Sequence, residues 1–467
     1  MVAAKQFKYR FAAYLQPPPG STNPPTQPDG SPWPVQVGVA CSSGLEFTTH
    51  SVRAVLDENP DWVDIALDAK NAFNSLHRRA FLKVIGERFP GLWNWAWSNY
   101  GAPSELYVRR DNLAPEVNLS CSGTRQGDPL GAQYFALGLH PSLCLLASLI
   151  GQRGMVIAYC DDIHILCPPS VAAEIILLLA ALTPLPPLDL TKDSDYSFIS
   201  IGLELSPGKQ SIYGPSLSDP ATRARVAALL RSSINLIGDP NLMSFNEKAD
   251  ALLRGDGSTI AAGHPVLGSP VGTDAYVESF VLSSAKKALN LIPILDHLLL
   301  AKDPASPGLF APDERDLLIC ICISPRLRHL LRTIRPGLGD ATFRSFDEGI
   351  RDARFLPIHT IQAPHFTPVH DPHRLATLAG RFGGHGTQLQ VNINPDDHSA
   401  SHHDVAYYGS MAAVWHYICL TFARGYPRLL ESDGRTRRPR RATCGRPMDA
   451  GFRSWRKPRP RYHSSRF

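Results

Sequence analysis

Residues 155–167 read MVIAYCDDIHILC, in which two apolar runs flank a pair of acidic residues. Apolar runs of five or six residues separated by a short polar break predict two strands joined by a tight turn. Asp161 and Asp162 would then lie at the end of a buried hairpin. Because Asp is a common turn former whose side chain bonds to neighbouring backbone groups, a purely structural role for the pair stays open.

A third carboxylate ends another apolar run. Residues 62–68 read WVDIALD, which predicts a short buried strand that finishes at Asp68, 93 residues before Asp161. If the strands are neighbours, three carboxylates meet and repel one another. Hard cations such as Mg²⁺ relieve that repulsion, and two ions about 3.5–4 Å apart can activate a hydroxyl and stabilise a leaving group. The alternative for Asp68 is a simple strand-end residue.

Composition indicates an ordinary globular protein. The chain has 467 residues, 43% hydrophobic and 19% charged, which is enough for two or three domains. The formal net charge is +5, but residues 424–467 carry 14 Arg and Lys against 3 Asp and Glu, a net +11 that leaves −6 for the rest. Because a nucleic-acid enzyme usually presents a positive groove, total charge alone does not identify one here.

Cysteine use and hydropathy predict the compartment. The nine cysteines include no C-x-x-C pair, which argues against a zinc knuckle or a disulfide framework and favours a reducing environment. The first 20 residues lack the apolar core of a signal peptide. The apolar stretch 171–182 contains Glu174 and is too short to span a bilayer. We therefore expect an intracellular protein, in the nucleus or the cytoplasm, with no membrane partner.

Periodicity along the chain predicts an α/β first part and an α-helical second part. The predicted helices cover residues 45–56, 75–89, 131–150, 171–182, 274–300 and 313–334, and the predicted strands and hairpins cover 62–68, 105–119, 155–167 and 264–272. Residues 17–34 are rich in proline and glycine and indicate a flexible linker or an insertion. Residues 424–467 lack apolar periodicity and are predicted to be disordered.

Three segments follow one another in the order of the palm motifs of reverse transcriptases. Residues 67–73, LDAKNAF, resemble motif A; residues 123–130, GTRQGDPL, resemble motif B; and residues 158–162, AYCDD, resemble the Y-x-D-D motif C. Each match alone is weak, but the three together in this order form a strong match. The sequences of these motifs are most similar to those of the non-LTR retrotransposon branch. The resemblance covers roughly residues 35–275.

The resemblance implies a fold: an α/β (α+β) polymerase palm with partial fingers, followed by an α-helical thumb-like region. The implied divisions are an N-terminal segment with a Pro-rich linker at 1–34, fingers and palm at 35–273, the thumb-like region at 274–350, an uncertain region at 351–423 and a basic tail at 424–467. The N-terminus is expected to be truncated, since the fingers strands that bear basic residues for the triphosphate have no counterpart.

The implied activity is that of an RNA-directed DNA polymerase, a nucleotidyltransferase of a retroelement. Its partners would be an RNA template, a DNA primer and dNTPs. Its cofactor would be a pair of Mg²⁺ ions, or Mn²⁺, held by Asp68, Asp161 and Asp162. The alternative is a catalytically inactive, reverse-transcriptase-like remnant that only binds nucleic acid.

The resemblance also implies roles for individual residues. Phe73 lies where the family has an aromatic gate against a ribose 2′-hydroxyl, although a core aromatic is the alternative. Gln126 and Gly127 would let the backbone approach the incoming base pair, unless they form a plain loop. Tyr159 would contact substrate as part of motif C. Lys209, in the motif-D-like residues 202–209, would protonate the leaving pyrophosphate, or be an exposed loop lysine.

One further segment has a counterpart in the family. Residues 266–272, VLGSPVG, resemble the small hairpin that grips the primer.

Overall fold

The structure of the chain is a computed structural model. It describes residues 2–16, 34–109, 116–181, 201–204, 210–235, 262–300 and 317–359, together with residues 406, 407 and 410. Within these residues the fold is mixed α/β, with one five-stranded sheet, two separate hairpins and many helices. The predicted α/β class is confirmed at this level.

The central sheet joins strands that are far apart in sequence. Its order is β1 (Val35–Gln36), β5 (Met155–Tyr159), β6 (Asp162–Cys167), β2 (Val63–Asp68) and β7 (Ser211–Tyr213). The β1–β5 pair is parallel and the other three pairs are antiparallel. The separate hairpins are β3 (Ser104–Val108) with β4 (Glu116–Ser120), and β8 (Gly263–Val266) with β9 (Ser269–Gly272).

Helices cover both faces of this sheet or form a region of their own. In chain order they are α1 (Val2–Leu15), α2 (Gly44–Glu58), α3 (Ala72–Ser75), α4 (Arg78–Arg88), α5 (Trp93–Tyr100), α6 (Gly131–Ile150), α7 (Pro169–Ala181), α8 (Pro220–Asn235), α9 (Asp274–Leu289), α10 (Leu291–Leu300), α11 (Arg328–Thr333) and α12 (Asp340–His359). The predicted helix 131–150 and the predicted 155–167 hairpin are confirmed.

The two faces of the sheet bury different side chains because successive strand residues point to opposite sides. Ile65 and Leu67 of β2 belong to the larger core, which α4, α6 and α7 cover. Ile157, Leu166 and Tyr213 belong to a smaller core on the opposite face, which α2 and the β8–β9 hairpin cover. The hairpin therefore lies over one face of the sheet and helices cover the other.

Helix α6 is the central helix of the larger core. The stretch Gly131–Arg153 is long and apolar enough to cross a bilayer, but 67% of its most apolar window is buried inside the protein. Phe135 and Leu139 are fully buried there. Length and composition therefore do not make it a membrane span, because a buried core helix has the same composition.

The N-terminal helix α1 lies before the predicted linker at 17–34, in a stretch for which the sequence analysis predicted no helix. Phe11 and Leu15 of α1 are fully buried in the larger core, and the Phe11 ring lies 5.2 Å from that of Phe89. Phe7, Phe11 and Leu15 are spaced by four residues, which puts them on one face of a helix. The apolar face of α1 therefore packs against α4 and α6.

Helices α9 to α12 enclose a third core that contains Val281, Phe343 and Phe346. This helical region continues to His359, past residue 350 where the sequence indicated its end. Thr273 caps the start of α9, since its hydroxyl accepts a hydrogen bond from the backbone N–H of Tyr276 at 3.3 Å.

The β8–β9 hairpin is held between α2 and α11. Arg53 of α2 donates to the carbonyl oxygens of Thr333, at 2.6 Å, and Pro270, at 3.2 Å. The Thr333 hydroxyl donates to Ser269 Oγ at 2.9 Å. Ser410, from far along the chain, contacts His50 Nε2 at the same junction, at 3.1 Å. Arg332, in the last turn of α11, also places a positive charge at the negative end of that helix.

A buried histidine in α6 makes fold stability depend on pH. His140 Nδ1 lies 3.1 Å from Gln36 Oε1, and Gln36 Nε2 donates to the Ala136 carbonyl at 3.2 Å. An amide oxygen only accepts, so His140 Nδ1 carries the proton of the neutral ring. Burial lowers the pKa of His140 to about 4.

We predict that stability falls as pH drops from about 6.5 towards 4. The unfolded histidine binds a proton near pH 6.5 and the folded one does not, so each pH unit costs up to about 1.4 kcal/mol. Urea unfolding of wild type and His140→Asn at several pH values tests this, because Asn can still donate to Gln36 without titrating. The variant should show a shallower pH dependence, and equal slopes would contradict the assignment.

Candidate active site

The ends of two neighbouring strands bring sequence-distant carboxylates together. β2 and β6 are antiparallel, and in their register Asp68 is directly opposite Asp162. Residues directly opposite each other in an antiparallel pair project to the same face of the sheet. Asp161 precedes Asp162 in the turn between β5 and β6, and all three side chains are half-buried. The strand register thus places Asp68 and Asp162 side by side, with Asp161 adjoining them in the turn.

The turn that carries Asp161 depends on a glycine in a different segment. Cys160 has a left-handed backbone, with φ +56°. Val37 N donates to the Ala158 carbonyl at 2.9 Å, which continues the β1–β5 pairing up to the turn. A Cβ at Gly38 would lie 2.5 Å from Cys160 N and 2.7 Å from its Sγ. Only glycine at position 38 therefore allows the turn to approach this closely.

Tyr159 lies beside the acidic residues. It is directly opposite Asp162 in the β5–β6 pair and is half-buried. A Cβ at Gly44 would lie 3.2 Å from Tyr159 Cε2, so α2 begins against this ring. Burial, together with the neighbouring Cys160, raises the pKa of the Tyr159 hydroxyl. The hydroxyl is therefore protonated at neutral pH and can donate a hydrogen bond.

A cleft of about 440 Å³ opens above these residues, between the sheet face and the β8–β9 hairpin. Its lining includes Asp68, Asp162, His164, Ser211, Pro265 and Leu267. Carboxylate oxygens are the ligands that Mg²⁺ prefers, and the common face of Asp68 and Asp162 fits such an ion. Within the ranges that the structure describes, no three His, Cys, Asp or Glu side chains converge closely enough to hold a metal ion together.

Phe73 links the residues after β2 to the loop that resembles motif B. Its carbonyl accepts the N–H of Thr124 at 2.8 Å, and its ring stacks on Phe135 with centroids 4.4 Å apart and an interplanar angle of 24°. Gly123 has φ +67°, and a Cβ there would lie 2.4 Å from both Asn74 Cα and the Phe73 oxygen. The half-buried Phe73 ring thus packs on the core and stays partly accessible.

Tyr100 holds the loop that presents Gln126 and Gly127. Its hydroxyl donates to Asp128 Oδ2 at 2.5 Å and accepts the N–H of Arg125 at 3.2 Å. Burial raises the pKa of Tyr100 to about 12, and the hydrogen bond to Asp128 adds to the effect. Gln126 and Gly127 are exposed at the tip of the loop, where Gly127 has φ +93° and open space around it.

The guanidinium groups of Arg78 and Arg125 lie 5.4 and 5.3 Å from the centre of the Tyr100 ring. These contacts are within the range of cation–π attraction, so the ring that anchors the loop is itself held by two cations.

Lys209 lies outside the described residues, and its predicted role stays a prediction. The beginning of the same segment is described, and it lies beside the residues that follow Asp68. The N–H of Lys70 donates to the Glu204 carbonyl, and the N–H of His77 donates to the Ile201 carbonyl, each at 2.7 Å.

A buried polar group that was not predicted from the sequence lies on the carboxylate face. Asp64 Oδ2 lies 2.9 Å from His164 Nδ1 and 3.0 Å from His264 Nε2, and all three side chains are at most 3% exposed. Burial is the largest single effect and favours a neutral Asp64, but attraction to and hydrogen bonding with His164 and His264 together outweigh it and lower the pKa of Asp64 overall. The available signal in the sequence was a polar residue inside each of two apolar strands. Asp64 stands four positions before Asp68, and His164 stands two positions after Asp162.

Comparison with known proteins supplies one sequence relative. A 136-residue stretch is 26% identical to the retrotransposable element SLACS 132 kDa protein of Trypanosoma brucei gambiense, and it covers 27% of this chain and 11% of that protein. No family model matches the chain. The chain is therefore similar, over part of its length, to about a tenth of a retrotransposable-element protein.

A comparison of structures gives a more distant similarity. A structure of telomerase from Candida albicans, in complex with a TWJ fragment of telomeric RNA, aligns with 67% of this chain and 46% of its own. The TM-score is 0.26 and the sequence identity is 10%. At this level the likeness carries no argument about fold or function.

Gly38→Ala should disturb the acidic turn, because its Cβ would overlap the backbone of Cys160. We expect a loss of about 1–3 kcal/mol in unfolding free energy, the usual cost of overpacking. Gly91→Ala is the control, since a Cβ there meets only Phe7 Cζ, at an ordinary 3.5 Å. Urea unfolding of both variants tests the prediction, and equal losses would show that the contact with Cys160 does not matter.

Proposed function

We propose that this protein is an RNA-directed DNA polymerase that adds dNTPs to the 3′ end of a primer, as part of a retroelement. The observation that carries the proposal is the register that sets Asp68 opposite Asp162, with Asp161 in the adjoining turn, on the floor of a cleft. Similarity to a retrotransposable-element protein supports the same class.

In this proposal the five-stranded sheet and its helices are the palm, and α9 to α12 are the thumb. The cleft under the β8–β9 hairpin receives the end of the primer–template duplex. This division of roles rests on the resemblance of the three motifs to those of reverse transcriptases, and the sheet places the acidic ends of β2 and β6 side by side.

Asp68, Asp161 and Asp162 would hold two Mg²⁺ or Mn²⁺ ions. Such a pair of ions, when bound, activates the attacking hydroxyl and stabilises the leaving pyrophosphate. Asp68 and Asp162 contribute oxygen ligands on one face of the sheet, Asp161 adjoins them in the turn, and all three side chains are partly shielded from water. Attraction between carboxylates and cations is stronger in such a site than in bulk water.

Several other side chains would position the substrates. Phe73 would exclude a ribose 2′-hydroxyl with the exposed part of its ring, and Phe135 supports the other side. Gln126 and Gly127 would contact the new base pair from a loop that Tyr100 and Asp128 hold in place. Tyr159 would orient the primer end, and Lys209 would donate a proton to the leaving pyrophosphate.

Asp162→Asn and Asp68→Asn should each abolish primer extension on poly(rA)/oligo(dT) with dTTP and Mg²⁺. We expect losses of at least about 100-fold, because each change removes an anionic oxygen ligand of the proposed Mg²⁺ ions, which stabilise the charge that the reaction develops. Asp61→Asn, an exposed acidic residue in the same region of the chain, is the matched control and should retain activity.

Asp161→Ala should behave like the Asn variants at the other two positions. A folded wild type that extends no primer with Mg²⁺ or Mn²⁺ would contradict the polymerase proposal. That result would favour a remnant that only binds nucleic acid, which a filter-binding measurement with the same duplex would then detect.

Phe73→Val should relax discrimination against ribonucleotides. Removing the ring opens space beside a ribose 2′-hydroxyl, and differences of this kind are worth about 1–3 kcal/mol, or roughly 10- to 200-fold. The measurement is the ratio of kcat/KM for dTTP and UTP. Phe135→Leu is the control, because it removes the stacking partner and leaves the exposed part of the Phe73 ring. An unchanged ratio in Phe73→Val would rule out the gate.

A further inference from the structure

Asp64 lies on the same face of β2 as Asp68 but is fully buried. Residues 64, 66 and 68 alternate to one side of the strand, and their partners on β6 are Leu166, His164 and Asp162. A buried carboxylate has a large desolvation cost, and replacing such a group by an apolar residue is often neutral or stabilising. Stability alone therefore does not explain an ionised side chain here.

Four strands meet at this carboxylate. Asp64 is on β2, His164 on β6 and His264 on β8, and both histidines contact the same oxygen, Oδ2. His264 Nδ1 in turn lies 3.0 Å from the hydroxyl of Ser211 on β7. We name Asp64, His164, His264 and Ser211 the buried polar cluster.

The proton positions in the cluster follow from its chemistry. His164 Nδ1 must carry a hydrogen, because the carboxylate oxygen that it meets only accepts. His264 Nε2 lies 3.0 Å from the same oxygen in an ion-pair contact that does not meet hydrogen-bond geometry, and attraction to the carboxylate favours a hydrogen on this nitrogen too. His264 Nδ1 is then free to accept the Ser211 hydroxyl hydrogen, so one anionic Asp64 orients two imidazoles and, through one of them, a serine. His264 is the residue by which the cluster reaches the hairpin.

The β8–β9 hairpin connects the buried polar cluster to the cleft. Leu267 and Gly268, with φ +50° and +77°, form the tight turn after β8 and line the cleft with Asp68 and Asp162. The turn begins three residues after His264. On the sheet side, His164 is two residues along β6 from Asp162.

We propose that Asp64 is a positioning residue, which sets the height of the β8–β9 hairpin above Asp68 and Asp162 and so the position of the primer end. This inference rests on the proposed polymerase function. Asp64 itself touches neither substrate nor the reacting atoms. Its effect reaches the cleft through His264 on one side and His164 on the other.

The first test is steady-state primer extension by Asp64→Asn, in which one amide NH₂ would oppose a histidine N–H. We expect the KM for primer–template to rise about 10-fold, in the range found when a supporting partner of a site is removed. The KM for dTTP should change less than about 2-fold, well below the change in the KM for primer–template. His140→Asn is the control, because it alters another buried histidine and should leave both constants unchanged.

The second test reports on the hairpin without catalysis. Hydrogen exchange of residues 263–272 should be faster in Asp64→Asn than in wild type, and unchanged in His140→Asn. If wild type does not extend primers, the polymerase proposal fails while this measurement still decides the positioning role.

Ser211→Ala serves if Asp64→Asn does not fold, since it removes only the last hydroxyl of the cluster. A smaller rise in the KM for primer–template is expected, with the dTTP constant unchanged. Equal changes in the two constants, or normal hairpin exchange in a folded cluster variant, would overturn the proposal.

Discussion

The antiparallel register between β2 and β6 is the constraint on which the site depends. It sets Asp68 against Asp162 and, because strand residues alternate, it turns Ile65 and Leu67 into the larger core at the same time. A slip of one residue would move every one of these side chains to the opposite face. Burial of the apolar set on helices α4, α6 and α7 thus fixes where the carboxylates lie, and the acidic cluster does not have to stabilise its own position.

The opposite face of the sheet is organised by polar contacts. Asp64, its two histidines and Ser211 join three strands of the sheet to the β8–β9 hairpin, and Arg53 joins α2 to the same hairpin and to α11. Directional hydrogen bonds specify one distance between these parts, whereas apolar surfaces tolerate several. In the proposed function, such specificity would hold a nucleic-acid end at a defined height in the cleft.

Much of this fold could be predicted from apolar periodicity. The 131–150 helix and the hairpin at 155–167 were evident because their apolar runs are long or sharply bounded. The two-residue strand β1 could not be predicted, since it is defined only by its pairing with β5. Helix α1 had a readable Phe7–Phe11–Leu15 stripe that the neighbouring proline-rich linker obscured. Asp64 and His164 looked like isolated polar residues in apolar strands, because their partnership with His264 requires chain segments that lie 100 residues apart.

The large separation between β2 and β6 also bears on how the chain folds. β5 and β6 are joined by two residues, and such hairpins form within about 1–10 μs. Pairing of β2 with β6 instead requires a loop of more than 90 residues to close. This step is slow because the chain loses conformational entropy on closing the loop before the contacts form. During synthesis the apolar β2 emerges long before its central partner, with both edges unpaired. The arrangement that assembles the acidic residues therefore exposes the nascent chain to aggregation until β6 arrives.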